Sequence, residues 1–304
     1  QYSITFPVCI LRKPMSTYRF TLDKSSKKFR CPNCTKKTFV YYIDYTTGNY
    51  LEPIYGRCDR ESKCGYLNTP SGNSAIIAPF QNIKPLKTTY LNENVIDRYC
   101  NDYDNNYFIT FLLKHFHEQD VIQAIEMYFI GTTGIWNGAT IFWQIDEFHR
   151  IHTGKVMLYS CSTGSRVKKP FSHINWMHKV LQIEPFVLQQ CLFGLHLIKD
   201  DVQKKTICLL ESEKTAIIMS MILPDYHWMA TGSKSNLKQE LLLPIKDFKI
   251  ILYPDKTEFL VWNNKMKLLI ESGFKMKCSN LLEKIDIKLG GDLVDLILKD
   301  STVN

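Results

Sequence analysis

No apolar run in this chain approaches the ~18 residues that a membrane-crossing helix needs, so a membrane-spanning protein is not expected. The chain also lacks a basic opening followed by a long apolar stretch, and no secretory signal is expected. A disulfide framework is missing too. Of ten cysteines, six (Cys9, Cys100, Cys161, Cys191, Cys208 and Cys278) are scattered among apolar neighbours, as reduced core thiols are. The expected location is cytoplasmic, where free thiols and zinc thiolates persist. Nor is charge concentrated in one block. The 38 Lys and Arg outnumber the 30 Asp and Glu along the whole length, giving a net +8. That balance permits nucleic-acid binding without specifying it. With 45% hydrophobic and 22% charged residues over 304 positions, the composition is that of a globular protein of two or three domains.

The remaining four cysteines are organised. Cys31 and Cys34 enclose two residues, 23 residues follow, and Cys58 and Cys64 enclose five. A Cys-x2-Cys knuckle aims two thiolates at one point, and a second pair brought up by a hairpin completes tetrahedral sulfur coordination, the geometry of structural zinc. A redox Cys-x-x-Cys and four unrelated thiols are the competing readings. Strand-like runs at 18–22 and 38–43 and a turn at Thr46-Thr47-Gly48-Asn49 fit a zinc ribbon over residues 1–75. Between Lys24 and Asn68 nine Lys and Arg face four Asp and Glu, with Phe29, Phe39, Tyr41, Tyr42 and Tyr55 interleaved. This pattern suits either phosphate contact with base stacking or a basic face over a small aromatic core.

Residues 71–92, with Pro79 and Pro85, read as a linker. Helical patterning is expected at 92–98, 106–116 and 118–129, then strands at 139–145 and 156–160. A mixed helical and β middle region thus spans 76–180. Its segment 149–179 is rich in His, Lys and Arg, including Lys155. The turn Ser162 to Lys169 offers backbone amides beside Arg166, Lys168 and Lys169, a loop able to hold a phosphate backbone, or else a solvated hairpin tip.

From 205 onward strand and helix alternate: strands at 205–210, 226–230 and 248–253, helices at 213–221, 236–242 and 258–270. Short links between them argue for a parallel sheet flanked by helices, the α/β class within a chain that is α+β overall. Functional groups in such sheets gather outside the carboxyl ends of the strands. Glu211 and Asp255 occupy that position at two strand ends and Gly232 at a third. Two carboxylates there can hold Mg2+ through hard oxygen ligands; singly, each could be a helix cap. Lys214, Lys234 and Lys256 stand beside the same ends, and Glu213 and Glu258 are further acids in reach.

Glu211-Ser-Glu-Lys-Thr-Ala, Ala-Thr-Gly-Ser-Lys-Ser at 230–235 and Leu-Tyr-Pro-Asp-Lys at 252–256 resemble a toprim domain, the catalytic fold of bacterial primases and topoisomerases. The resemblance covers roughly 180–300, within a domain expected at 181–304. With the ribbon ahead of it, the layout resembles bacterial and phage DNA primases, above all primase-like toprim proteins of bacterial mobile elements. Their Phe-Arg-Cys-Pro-x-Cys…Gly-Arg-Cys…Lys-Cys-Gly-Tyr pattern is matched from Phe29 to Tyr66. The resemblance implies that Glu211 is a metal ligand or general acid/base. The family's second motif is Asp-x-Asp, whereas here Asp255 stands with Tyr253 before it and Thr257 after it. It further implies single-stranded DNA and nucleoside triphosphates as partners, a replicative helicase beside them, structural Zn2+, catalytic Mg2+ or Mn2+ at Glu211 and Asp255, and RNA primer synthesis by nucleotidyl transfer in replication. A non-catalytic nucleic-acid-binding scaffold and a toprim nuclease are the alternatives.

Overall fold

The computed structural model describes residues 17–23, 25, 27–60, 64–72, 75–76, 87–200, 203 and 205–300. Cys9, Lys24, Glu61, Lys63 and the part of the expected linker at 77–86 lie outside the described residues. The chain divides into two compact units, 1–85 and 86–304.

The first unit is built of short strands: β1 (Thr17–Tyr18), β2 (Phe20–Leu22), β3 (Phe29–Arg30), β4 (Lys37–Asp44), β5 (Gly56–Cys58), β6 (Leu67–Asn68) and β7 (Ala75–Ile76). Its organising element is β4, whose Thr-Phe-Val-Tyr-Tyr-Ile run favours extended backbone and pairs antiparallel with β2, β3 and β5. The turn after β4 forms as its sequence demands. Asp44 accepts a hydrogen bond from the Thr46 amide at 2.8 Å, and Gly48 takes φ +73°. Phe39 is fully buried beside Cys31 and Cys58, and Phe29 stacks on Tyr41 with centroids 3.9 Å apart. Phe29, Phe39 and Tyr41 of the interleaved aromatics, with Tyr66, pack in the small core of this unit.

The second unit opens with α1 (Asn94–Tyr99), α2 (Tyr107–His115) and α3 (Glu118–Tyr128). Strands β8 (Gly131–Thr133), β9 (Ala139–Ile145), β10 (Ile151–Met157) and β11 (Ile174–Trp176) follow, then the short helices α4 (Met177–Val180) and α5 (Leu197–Asp200). The strands form an antiparallel sheet in the order β11-β10-β9-β8. Asn106 caps α2, accepting from the Phe108 and Ile109 amides, while its amide group donates to the Gly131 carbonyl. One expectation is corrected here. The strand expected at 156–160 is β10, which begins at Ile151 and ends at Met157.

The remainder alternates as the sequence implies: β12 (Thr206–Leu210), α6 (Glu213–Ile222), β13 (His227–Ala230), α7 (Gln239–Leu242), β14 (Lys249–Leu252), α8 (Phe259–Glu271), β15 (Lys275–Cys278), α9 (Leu281–Lys284) and α10 (Leu293–Asp300). The helix expected at 236–242 is broken into a 3-10 turn at Lys234–Asn236 and the four-residue α7. Strands β13-β12-β14-β15 form one parallel sheet. Side chains alternate across β12. Cys208 and Leu210 join a core with Phe108, Tyr128, Phe142 and Trp228, whereas Ile207 and Leu209 join Ile250, Leu252 and Trp262 on the other face. Regions expected as separate at residue 180 therefore share one core, reinforced where the Tyr128 hydroxyl donates to the Trp228 carbonyl at 2.8 Å. Among the described residues no helix is long and apolar enough to cross a membrane.

Candidate metal centres

The cysteine cluster is assembled by two turns of different size. Thr35 takes φ +57° and its amide donates to the Cys31 carbonyl, closing the tight knuckle. Cys58 ends β5, and the Cys64 amide donates to the Arg60 carbonyl, so the longer second loop still returns its thiol to the same point. The sulfurs of Cys31 and Cys64 stand 3.7 Å apart and those of Cys34 and Cys58 3.9 Å apart. All four ligand atoms lie within 4.8 Å of one another. A tetrahedron with Zn–S bonds of about 2.3 Å has sulfur–sulfur edges of about 3.8 Å, so the quartet fits structural zinc. The Lys36 backbone amide holds the Cys34 thiol down to about 6, whereas burial pushes the neighbouring Cys31 thiol up to about 11, so without a metal the cluster keeps a proton that a bound cation would displace.

The acidic site lies at the carboxyl ends of neighbouring strands in the parallel sheet. Glu211 follows the last residue of β12, and its carbonyl accepts from the Gly232 amide in the turn after β13. Asp255 follows β14, whose exit is tied to β12 where the Tyr253 amide donates to the Leu209 carbonyl. Burial pushes the Asp255 carboxyl up to about 8, and Glu211, Asp292 and Glu258 add to the shift. Burial also raises Glu211, with Glu258 reinforcing it and the Lys234 amide, Arg166 and the Lys234 charge opposing it. These carboxylates thus lie close enough to repel one another in a partly desolvated place. The hard oxygen donors of Glu211 and Asp255 are of the kind that fit a divalent cation such as Mg2+ or Mn2+, whose charge would favour their ionised forms. Among the described residues, only the cysteine quartet brings three or more ligand atoms of this kind within 4.8 Å of one another.

The remaining expected residues have distinct fates. Lys234 pairs with Glu258 at 2.9 Å beside Glu211, and the charge of Arg166 reaches Glu211. Lys214 donates to the Gly164 carbonyl at 3.4 Å, and Lys256 donates to the Ile285 carbonyl. Lys168 and Lys169 are exposed on the loop that precedes β11. Of the two extra acids, Glu258 faces the site, while Glu213 is committed to a different partner.

That partner is Lys155, whose position on β10 gave no sign of it in sequence. Lys155 is only 7% exposed, and its ammonium meets both oxygens of Glu213 at 2.9 and 3.1 Å and the Gly232 carbonyl at 2.8 Å. The contact joins the antiparallel sheet to the turn that carries Lys234. A side chain at Gly232 does not fit there: φ is +73° and an added Cβ would stand 2.9 Å from Glu213 Oε1. Asp292 also escaped sequence reasoning. It accepts from the Thr215 hydroxyl at 2.5 Å and from the Val294 and Asp295 amides, and its negative charge reaches Asp255.

Two family models match the chain. A zinc beta-ribbon finger family covers residues 18–76, and a domain of unknown function (DUF6371) covers 106–256. No curated protein matches. Among solved structures, the chain is similar to the DnaG catalytic core at 10% identity and a TM-score of 0.45, over 68% of this chain and 74% of that one. The primase fragment of the bacteriophage T7 primase-helicase protein is 15% identical with a TM-score of 0.43, over 90% and 94%. The zinc-binding and RNA polymerase domains of Aquifex aeolicus primase are 11% identical with a TM-score of 0.42, over 92% and 77%.

Proposed function

We propose that this chain is a DNA primase-like protein with a toprim-type domain, acting in the replication of a mobile element or phage in the bacterial cytoplasm. The observation that carries the reading is the placement of Glu211 and Asp255 at adjacent strand ends of one parallel sheet, where burial raises the Asp255 carboxyl and the charge of Glu211 adds to it. Bound there, Mg2+ or Mn2+ supplies neutralisation of phosphate charge. The chain's own cations complete the environment. Lys234 and Arg166 bring positive charge to the edge where a nucleoside triphosphate would lie, and the Lys155–Gly232 contact fixes the turn that presents Lys234. In nucleotidyl transfer a 3′-hydroxyl gives up its proton to solvent, its oxygen bonds the α-phosphorus of the incoming nucleotide, the bond from that phosphorus to the oxygen bridging to the β-phosphate breaks, and pyrophosphate leaves. The ribbon and the basic loop with Lys168 and Lys169 hold the single-stranded template, and a replicative helicase is the expected further partner.

The test is primer synthesis on single-stranded DNA with Mg2+ and Mn2+, followed on labelled products. The wild-type chain makes short RNA, and Glu211→Gln or Asp255→Asn reduces synthesis to background while leaving the fold intact by circular dichroism. Unchanged synthesis by Glu211→Gln places the site elsewhere. Cleavage of the labelled strand makes the chain a nuclease. DNA binding that ignores the metal, without synthesis, makes it a non-catalytic scaffold.

A further inference from the structure

From Phe148 to Ile183 the chain has no Asp or Glu, yet it carries Arg150, Lys155, Arg166, Lys168, Lys169 and Lys179. Within this stretch residues 168–172 form a small loop closed at its neck, where the His173 amide and ring both meet the Val167 carbonyl. All five loop residues are exposed. Among the described residues no ion pair involves Lys168 or Lys169.

The loop also carries an aromatic ring. Phe171, between Pro170 and Ser172, is 53% exposed. It is nevertheless held in place. Its ring stacks on His173 with centroids 4.3 Å apart and 27° between planes, and His173 meets Trp136 edge-on at 5.1 Å. Trp136 comes from the β8–β9 turn, where Trp136, Asn137 and Gly138 have φ of +57°, +54° and +105°. A Cβ on Gly138 would stand 2.5 Å from the Asn105 carbonyl, so that turn lies close against the segment that leads into α2. The result is a supported ring beside two unpaired ammonium groups.

We infer that Phe171, backed by His173 and Trp136, is a stacking platform for a base of single-stranded DNA whose adjacent phosphates lie on Lys168 and Lys169. Charge complementarity selects the occupant: a polyanion suits an acid-free loop, and an unpaired base supplies the π-face that duplex DNA conceals. The inference rests on the nucleic-acid reading proposed above and gives it an address remote in sequence from Glu211 and Asp255.

The two kinds of contact differ in their salt response, and this makes the test specific. Binding of a fluorescent thymidine strand of roughly a dozen nucleotides is followed by anisotropy across salt concentrations, with the full chain. Phe171→Ala weakens binding by about tenfold and leaves the slope of log K against log salt unchanged. Lys168→Gln with Lys169→Gln lowers that slope by about 1.4. Phe171→Trp restores affinity, and on an abasic strand of equal length Phe171→Ala has no effect. If the wild-type chain binds the strand but Phe171→Ala binds it equally well, the platform is wrong and the nucleic-acid reading stands. If the wild-type chain does not bind the strand, both fall. An equal loss for Phe171→Ala on the abasic strand also overturns base stacking.

Discussion

Asp255 holds its proton to about pH 8 because its surroundings offer little water and several neighbouring carboxylates. The ordinary value for such a group is 3.8. Between those two values an unfolded chain has released a proton that the folded chain retains, so folding stability falls as pH rises through that window. The raised Glu211 acts in the same direction. Asp255→Asn removes the larger contribution. Its melting temperature is therefore expected to vary less than that of wild type from about pH 5 to about pH 9, and to lie above wild type at the alkaline end. Thermal melts without added divalent cation check this. A variant whose melting temperature still falls as steeply as wild type would show that the carboxylate is not strained in this way.

At the scale of elements, the decisive join is between β10 and the α6–Gly232 region. Removing one partner of a buried ion pair leaves the other uncompensated, at a cost of about 3–5 kcal/mol. Lys155→Met should lower stability by that order. The double variant Lys155→Met with Glu213→Gln should recover much of the loss, and denaturant unfolding measures both. If the single variant loses less than about 1 kcal/mol, the pair is not the join described.

This join also marks where sequence reading stopped. Glu211 and Asp255 were legible because each ends a short apolar strand run, at Leu210 and at Leu252-Tyr253, and because periodicity locates strand ends. Lys155 was not, because its strand reads Ile-His-Thr-Gly-Lys-Val-Met. Those polar positions find partners that the strand itself does not show: His152 on Asp146 across its own hairpin at 2.9 Å, Thr153 on His178 at 2.9 Å, and Lys155 on the distant Glu213. Their burial hid the strand's true start. Asp292 was illegible for a similar reason, since it looks like an ordinary helix cap and its charge matters only once α10 is brought toward the site. The cysteine quartet lies at the other extreme, because its first pair needs only a local turn.

At the scale of the whole molecule, the two units depend on different sources of stability. The described buried core of the first is little more than Cys31, Phe39 and Cys58 with their aromatic neighbours, too small to stand without a staple. The second has three extensive apolar clusters of its own. Chelation, or Cys34→Ser, should release one zinc per chain and unfold the first unit while the second keeps its melting transition. Metal analysis beside a calorimetric scan reads both. Stoichiometric zinc retained by Cys34→Ser would overturn the four-sulfur site.

The Lys155 ammonium against the Gly232 carbonyl also bears on how a chain of this kind can be recombined. A parallel-sheet half exchanged near residue 180 for one from a different chain would bring a buried carboxylate without the ammonium that answers it. It would also bring a turn shaped around a lysine it no longer meets. Viable shuffling is then confined to the seam near residue 85, so the ribbon is the portable part, and the antiparallel and parallel sheets are inherited together.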